Sequence, residues 1–290
     1  MTSKRHDAAL EGWALILGAS SGFGGASALA LARGGMHIFG VHMDRKTTMP
    51  NVERIVAEIK QVGREAIFFN VNASDPGRRS EVLDQMEKTL ADCGEPSSVK
   101  VMLHSLAFGT LKPFIASSPK DVITPAQMEM TLDVMAHSLV YWVQELVTRR
   151  LMIRGGRIFA MTSSGGARVW GAYGAVSAAK AALESHIRQL ALELATLGIT
   201  ANAIRAGVTD TPALRKIPGS EGIKQTALRT NPFGRLTAPE DVATALLALS
   251  RPETYWMTGN VIGVDGGEDI VGFSILSSST ATGGGSVPSR

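Results

Sequence analysis

Apolar runs of strand length alternate with helical stretches seven times along this 290-residue chain, and that alternation constrains the fold most. The expected strands are residues 13–17, 37–41, 66–71, 99–103, 157–162, 199–204 and 258–264. The expected helices end at 33 or span 51–62, 82–90, 127–152, 171–197 and 239–250. Strands joined through helices run parallel, with the helices on both faces. The pattern therefore predicts an α/β fold with a doubly wound, seven-stranded parallel sheet in a single domain.

The ends of the chain and one long interruption complete the predicted organisation. Residues 1–11 are polar and predict a flexible arm, residues 12–270 form the domain, and 271–290 predict a disordered tail rich in Ser, Thr and Gly. Residues 208–234 contain several prolines and follow the C-terminal end of a strand, where open α/β sheets bind ligands. A substrate lid is the functional interpretation, and a merely variable loop is the alternative.

Composition excludes several classes of function. A net charge of +3 is too small to indicate a nucleic-acid partner, and no apolar run of about 18 residues predicts a membrane span. The single Cys93 excludes an internal disulfide and favours a reducing compartment. No apolar signal segment follows the N-terminus and no metal-ligand spacing occurs, so we expect a cytoplasmic protein without a metal site.

A glycine-rich turn follows the first predicted strand with the spacing Gly18-x3-Gly22-x-Gly24. Glycines let the backbone approach a pyrophosphate, and a helix N-terminus presents free N–H groups and a positive dipole end. We therefore expect a dinucleotide-binding fold of the Rossmann type. The predicted cradle consists of Gly18, Ser20, Ser21, Gly22, Phe23 and Gly24.

The end of the second predicted strand usually selects the form of the dinucleotide. A carboxylate there pairs with the adenosine ribose, whereas Arg or Lys accommodates a 2′-phosphate. Asp44 stands beside Arg45 and Lys46, but His42 occupies the position expected to be acidic. The sequence favours NADPH, with contacts from His42 and Arg45, and NADH remains possible.

Hydroxyl, phenol and ammonium groups cluster around the fifth predicted strand and the helix after it. Ser163 and Ser164 follow the strand, and Tyr173 precedes Lys180 by seven residues, about two helical turns. Both side chains can then face one side, where the ammonium should lower the pKa of the phenol. Such a pair suits proton transfer.

Together these motifs resemble the short-chain dehydrogenase/reductase superfamily over about residues 12–268. Ketoreductase-type members have Tyr four residues before Lys, where this chain has Val176, and an active-site Asn in the stretch that reads Asp133-Val-Met135 here. The Tyr-x6-Lys spacing and His104-Ser-Leu-Ala-Phe108 are similar to the enoyl-acyl-carrier-protein reductases. Ser163-Ser164 and the segments 213–218 and 231–235 are similar to their NADPH-linked, triclosan-tolerant branch.

The resemblance implies a role for each matching residue. Tyr173 would hydrogen-bond the enolate oxygen, Lys180 would hold the nicotinamide ribose, and Ser163 or Ser164 would line the site. Further cofactor contacts are implied for Asn72 at the adenine and for Ala73, Ser105, Leu106, Ala107, Gly207, Val208 and Thr209. The partner would be an enoyl substrate carried by acyl carrier protein or coenzyme A. Relatives are commonly homotetramers that pack helices 127–152 and 171–197.

The Tyr spacing suits reduction of a conjugated double bond. Hydride then reaches C3 while negative charge develops on the remote thioester oxygen, and three helical residues displace the phenol by about 4.5 Å. A carbonyl reductase or alcohol dehydrogenase is the first alternative. A cofactor-binding regulatory protein is the second, although the Tyr/Lys pair is intact.

Overall fold

A seven-stranded parallel sheet forms the centre of the computed structural model, which describes residues 9–93 and 98–272. The strands are β1 (Trp13–Leu17), β2 (His37–His42), β3 (Ala66–Asn70), β4 (Val99–His104), β5 (Arg157–Ser163), β6 (Thr200–Ala206) and β7 (Val261–Val264). Their spatial order is β3-β2-β1-β4-β5-β6-β7, and every neighbouring pair is parallel. The predicted doubly wound architecture is confirmed.

Helices cover both faces of this sheet. They are α1 (Gly22–Arg33), α2 (Met49–Gln61), α3 (Pro76–Asp92), α4 (Pro125–Leu132), α5 (Ser138–Thr148), α6 (Gly174–Leu194), α7 (Ser220–Thr230) and α8 (Pro239–Leu249). Local chemistry fixes several starts. Asp75 Oδ1 accepts the Arg78 N–H at 2.9 Å before Pro76, and Thr124 and Gln127 form a reciprocal capping box around Pro125.

Several element boundaries differ from the sequence-based expectations; strand β7, for example, begins at Val261 instead of 258. The helix expected over 127–152 ends at Thr148, and a π-helical segment, Asp133–His137, separates α4 from α5. Helix α3 begins six residues before the expected 82 because its start is set by the cap and Pro76 rather than by the apolar stripe. Helix α6 begins at Gly174, not near 171, because Ala172 has a left-handed backbone (φ 59°) that interrupts a helix.

Two apolar cores lie on opposite faces of the sheet. The first packs α3, α4–α5 and α6 against one face, with Trp142 and Leu183 fully buried. The second packs α1, α2 and α8 against the other face around Leu31, Ile55 and Leu246. All strands end on one edge, and the order reverses between β1 and β4, which is where open α/β sheets bind ligands.

The predicted lid and termini lie partly outside this regular framework. Residues 208–234 contain α7 and a short 3₁₀ turn, Leu214–Lys216, rather than loop alone. The Leu10 N–H donates to the Gly34 carbonyl, so the end of the expected arm is attached to the domain. Residues 1–8 of the arm and residues 273–290 of the tail lie outside the described residues. Among the helices described, none has the length and apolar character needed to cross a bilayer.

Candidate active site

The glycine turn after β1 is built by close backbone approach. A Cβ added at Gly18 would lie 2.5 Å from the Ser105 carbonyl oxygen, and one at Gly24 would lie 2.1 Å from the Gly18 carbonyl oxygen. Gly18 also has φ 89°, which side-chain-bearing residues rarely adopt. The spacing thus reflects a steric requirement at Gly18 and Gly24, where any side chain would collide with main chain, whereas Gly22 has a left-handed backbone (φ 52°).

The N-terminus of α1 opens directly onto this turn. Ser21, its N-cap residue, is extended and its side chain makes no capping hydrogen bond, so it does not satisfy the first N–H groups of α1. Asn51 from α2 donates to the Ser20 carbonyl and fixes the turn from outside. Phe23 packs against the second core. Ser20, Ser21, Gly22 and Gly24 therefore present a helix N-terminus with the geometry that binds phosphate.

A carboxylate, not a free imidazole, occupies the end of β2. The His42 side chain is only 2% exposed, and its Nδ1 lies 3.0 Å from Asp44 Oδ2. Burial lowers the pKa of His42 despite the opposing effect of Asp44, so the contact is a hydrogen bond rather than an ion pair at neutral pH. Burial alone would raise the pKa of Asp44, but hydrogen bonds with Thr48, Ser20 and His42 outweigh it and lower the pKa. Arg45 is exposed.

The predicted adenine-side and β4 residues lie at the same edge. Asn72 Oδ1 accepts hydrogen bonds from the Ser74 N–H at 3.1 Å and from its hydroxyl at 2.9 Å, closing the turn after β3. Ala73 is buried, and its carbonyl accepts from Trp142 Nε1 at 2.9 Å. The Ser105 N–H donates to the Leu17 carbonyl, which holds the segment with Leu106 and exposed Ala107 beside the glycine turn.

The phenol of Tyr173 lies at the boundary of α6 rather than inside it. Tyr173 is the N-cap residue, and its carbonyl accepts the Ser177 N–H at 2.9 Å. Its ring packs against Gly165, where a Cβ would lie 2.5 Å from ring atom Cε1, and meets Trp170 edge-on at 5.6 Å between centroids. Tyr173 hydrogen-bonds Ser163, the last residue of β5. Ser164 instead begins the following 3₁₀ turn.

Lys180 is buried on α6, seven residues and about two helical turns after Tyr173. Its Nζ donates to the Met161 carbonyl at 2.7 Å, and its side chain is almost fully enclosed. Burial lowers the pKa of Lys180 to about 8, while Glu184 acts in the opposite direction. One of the three ammonium N–H donors is used by Met161, and the others could serve a ribose.

The expectation that Lys180 lowers the pKa of Tyr173 is wrong. Burial raises the pKa of the Tyr173 phenol, and the hydrogen bond with Ser163 only partly offsets it. The Lys180 ammonium is directed at a β5 carbonyl, so burial of the ring dominates. Tyr173 is therefore a neutral hydrogen-bond donor at neutral pH.

A buried polar triad beneath the site was not assigned from the sequence. His104 Nε2 lies 2.8 Å from Ser138 Oγ, and the Ser138 hydroxyl lies 2.8 Å from the Val134 carbonyl in the π segment. Because Ser138 donates to Val134, Nε2 carries the imidazole proton. Burial first, and then the charge of Lys180, lower the pKa of His104 to about 3, so it stays neutral. His104 was visible in its motif; Ser138 had no sequence signal.

The residues after β6 are already paired within the chain. The Gly207 N–H donates to the Val264 carbonyl, and the buried Thr209 hydroxyl donates to the Gly207 carbonyl at 3.0 Å. The Val208 N–H donates to the Glu268 carboxylate, 3.1 Å from Oε2, while the Val208 carbonyl accepts the Thr237 N–H. Burial raises the pKa of Glu268 despite that hydrogen bond. Gly207, Val208 and Thr209 thus make hydrogen bonds within the chain directly after β6.

Two aromatic side chains, Trp170 and Phe114, lie beside Tyr173 and the start of α6. Phe108, in the loop after β4, is half exposed. Phe114, which the sequence analysis missed, lies over Gly174, where a Cβ would be 2.4 Å from its ring. No periodic signal marks a single Phe in a loop.

Comparisons with known proteins are consistent with this geometry. The sequence profile of a family described as "Enoyl-(Acyl carrier protein) reductase" matches residues 18–268. A 3-oxoacyl-[acyl-carrier-protein] reductase from Thermotoga maritima is 27% identical over 255 residues, covering 87% of this chain and 96% of that protein.

Solved structures resemble the whole domain. An enoyl-[acyl-carrier-protein] reductase (NADH) from Aquifex aeolicus is 26% identical with a TM-score of 0.74, covering 90% of this chain and 98% of that one. A short chain dehydrogenase from Burkholderia cenocepacia in complex with NADP is 25% identical with a TM-score of 0.74, covering 88% and 97%. The two structures name different nicotinamide cofactors, and the named activities also differ.

Proposed function

Because this chain is an oxidoreductase of the short-chain dehydrogenase/reductase superfamily and belongs to the enoyl-(acyl carrier protein) reductase family, we propose that it reduces the C2–C3 double bond of an enoyl thioester with NAD(P)H. One observation carries the proposal. Val176, at the position of the ketoreductase Tyr, is buried in the first core, whereas the Tyr173 phenol hydrogen-bonds Ser163 at the end of β5. The phenol of this site is thus displaced toward the start of α6.

Two side chains supply the proposed chemistry of the protein. The neutral Tyr173 hydroxyl donates a hydrogen bond to the thioester oxygen, where negative charge develops, and a single such donor is worth about 3–4 kcal/mol. Lys180 adds positive charge and would bind the nicotinamide ribose. Tyr173 precedes α6, so the 4.5 Å axial displacement expected within a helix is not its actual offset.

The glycine turn fits a dinucleotide. Added Cβ atoms at Gly18 and Gly24 would collide with main-chain oxygens, and the α1 N-terminus presents N–H groups that Ser21 does not cap. Gly18, Ser20, Gly22 and Gly24 would hold the pyrophosphate. The bound reduced nicotinamide supplies the hydride.

The proposed choice between NADH and NADPH depends on Asp44. NADPH is the sequence-based prediction because His42 replaces the acidic residue. The ionised Asp44 carboxylate, hydrogen-bonded to Ser20 of the glycine turn, supports the opposite proposal, since a carboxylate pairs with ribose hydroxyls and repels a 2′-phosphate. Initial rates with NADH and NADPH at equal concentration decide between them.

The substrate and partners form the finer part of the proposal. Phe108, Phe114 and Trp170 would contact the acyl chain, whereas Met161 packs in the second core. Two lid cations that could face an acidic carrier protein are already ion-paired within the chain, Arg215 with Asp210 and Lys224 with Glu221, so they give no support to a carrier-protein surface there. Acyl carrier protein and coenzyme A thioesters are therefore both proposed substrates. Membership of the triclosan-tolerant branch stays a prediction, which an inhibition assay tests.

Assembly and location are proposed on the same basis. A homotetramer through α4–α5 and α6 remains a prediction, as does a cytoplasmic location. Light scattering on a size-exclusion column measures the oligomeric state directly.

Crotonyl and acetoacetyl thioesters, each on coenzyme A and on acyl carrier protein, test the proposed reaction. We expect oxidation of the nicotinamide cofactor with the crotonyl compounds and little with the acetoacetyl compounds. Preferred reduction of acetoacetyl thioesters would instead make the chain a ketoreductase, the activity named for its Thermotoga relative.

A further inference from the structure

An acid and a base one turn apart on α6 are held by consecutive residues of β5. Lys180 Nζ donates to the Met161 carbonyl at 2.7 Å, and the Thr162 hydroxyl donates to Glu184 Oε1 at 2.7 Å. Thr162 is buried, and Gly166 lies against both Lys180 and Glu184. The end of β5 therefore holds the carboxylate and the ammonium by one 2.7 Å hydrogen bond each.

A buried ammonium needs compensation because burial disfavours its charge. Burial lowers the pKa of Lys180 to about 8, so the ammonium is close to losing its proton at weakly alkaline pH. Glu184 is the group that opposes this change. The other titratable groups of the site, His104 on β4 and Tyr173 at the start of α6, are neutral at pH 7 and provide no negative charge.

We propose that Glu184, fixed by Thr162, is a positioning residue that keeps the buried Lys180 side chain charged. The proposal rests on the assignment of Lys180 to the reductase site above. Glu184 acts through Lys180 and has no direct role at the substrate. Its carboxylate stabilises a positive charge that the β5 carbonyl alone would leave only partly compensated.

Three variants separate charge from structure. Glu184→Gln keeps an oxygen that can accept from Thr162 but removes the negative charge. Thr162→Val keeps the charge but removes the hydrogen bond that orients it. Glu193→Gln is the matched control, because Glu193 is exposed on the same helix and hydrogen-bonds only to Gln189 in the described contacts.

The direct measurement is an NMR pH titration of the Lys180 side chain in lysine-labelled protein, with Lys180→Met identifying its signal. Removing a nearby opposite charge lowers the pKa of an amine, so Glu184→Gln should lower the midpoint by about one unit or more. Thr162→Val should lower it less, and Glu193→Gln should leave it unchanged. The alkaline limb of kcat/KM should move to lower pH in the same order.

An unchanged Lys180 midpoint in Glu184→Gln overturns the proposal. If that variant does not fold, Glu184→Ala, which also removes the negative charge, is titrated instead, and a midpoint equal to the parent's overturns the proposal equally. The titration needs no substrate. A shifted midpoint in a protein that fails to reduce enoyl thioesters would support the role of Glu184 and refute the proposed reaction.

Discussion

The two halves of the sheet's functional edge use different physical means. The half at the ends of β1 and β2 consists mainly of backbone: Gly18 and Gly24 leave room for main-chain contact, and the α1 N-terminus lacks a side-chain cap. The half at the ends of β4, β5 and β6 consists of buried ionisable side chains, including His104 and Lys180. The first half depends on steric fit and the second on electrostatics. Substitutions in the two halves should therefore impair different properties of the protein.

Replacement of Tyr173 with Phe should give the largest effect. Loss of one hydrogen-bond donor to a developing oxyanion lowers kcat by about 10²–10³-fold. The fold should be retained, because the apolar ring still packs against Gly165 and Trp170. Cofactor affinity, measured by nicotinamide fluorescence, should change little. Unaltered kcat would remove the phenol from the mechanism and leave the electrostatic half without its donor.

Replacement of Gly24 with Ala should destabilise the glycine turn. Its methyl would lie 2.1 Å from the Gly18 carbonyl oxygen, and overpacking of this kind costs about 1–3 kcal/mol. Denaturant unfolding and cofactor titration should both show the loss. Gly222→Ala in α7 is the control, since a Cβ there meets nothing within 4 Å.

Replacement of Asp44 with Asn should change cofactor choice rather than turnover. Removing the carboxylate abolishes its repulsion of a 2′-phosphate, so the ratio of kcat/KM for NADPH over NADH should rise roughly tenfold. Arg45→Gln should act in the opposite direction. A ratio that does not respond to Asp44→Asn would place cofactor selection elsewhere.

Replacement of Glu268 with Gln should give the smallest effect. Burial raises the pKa of Glu268, so the parent protein loses stability as pH rises from the ordinary pKa of a Glu carboxyl through this raised value. Gln keeps an acceptor for the Val208 N–H without ionising. The difference in unfolding free energy should grow across that window and stay below about 1 kcal/mol, because Glu268 is partly solvated. No pH dependence of the difference would contradict the assignment.

The same division explains what could be predicted from the sequence. The sheet, the Gly18 turn and the Tyr173/Lys180 pair could be predicted because they depend on local spacing. The structure places the turn and the pair at the same edge of the sheet. The contacts His104–Ser138 and Thr162–Glu184 join residues 34 and 22 positions apart, which no local pattern reports. The predicted direction of the Tyr173 pKa shift was wrong for a related reason. The burial that raises this pKa depends on packing against Gly165 and Trp170, which the sequence does not show.

The position of Tyr173 at the edge of α6, not within it, has a consequence for how such a site can be altered. The phenol is carried by the loop and its aromatic packing, whereas the ammonium is carried by the helix and strand. Rebuilding residues 164–172 would therefore shift the donor relative to a stationary charge. The distance between the phenol and the ammonium would then change, and with it the length of substrate that the site accepts. The helix that carries the ammonium would keep its sequence.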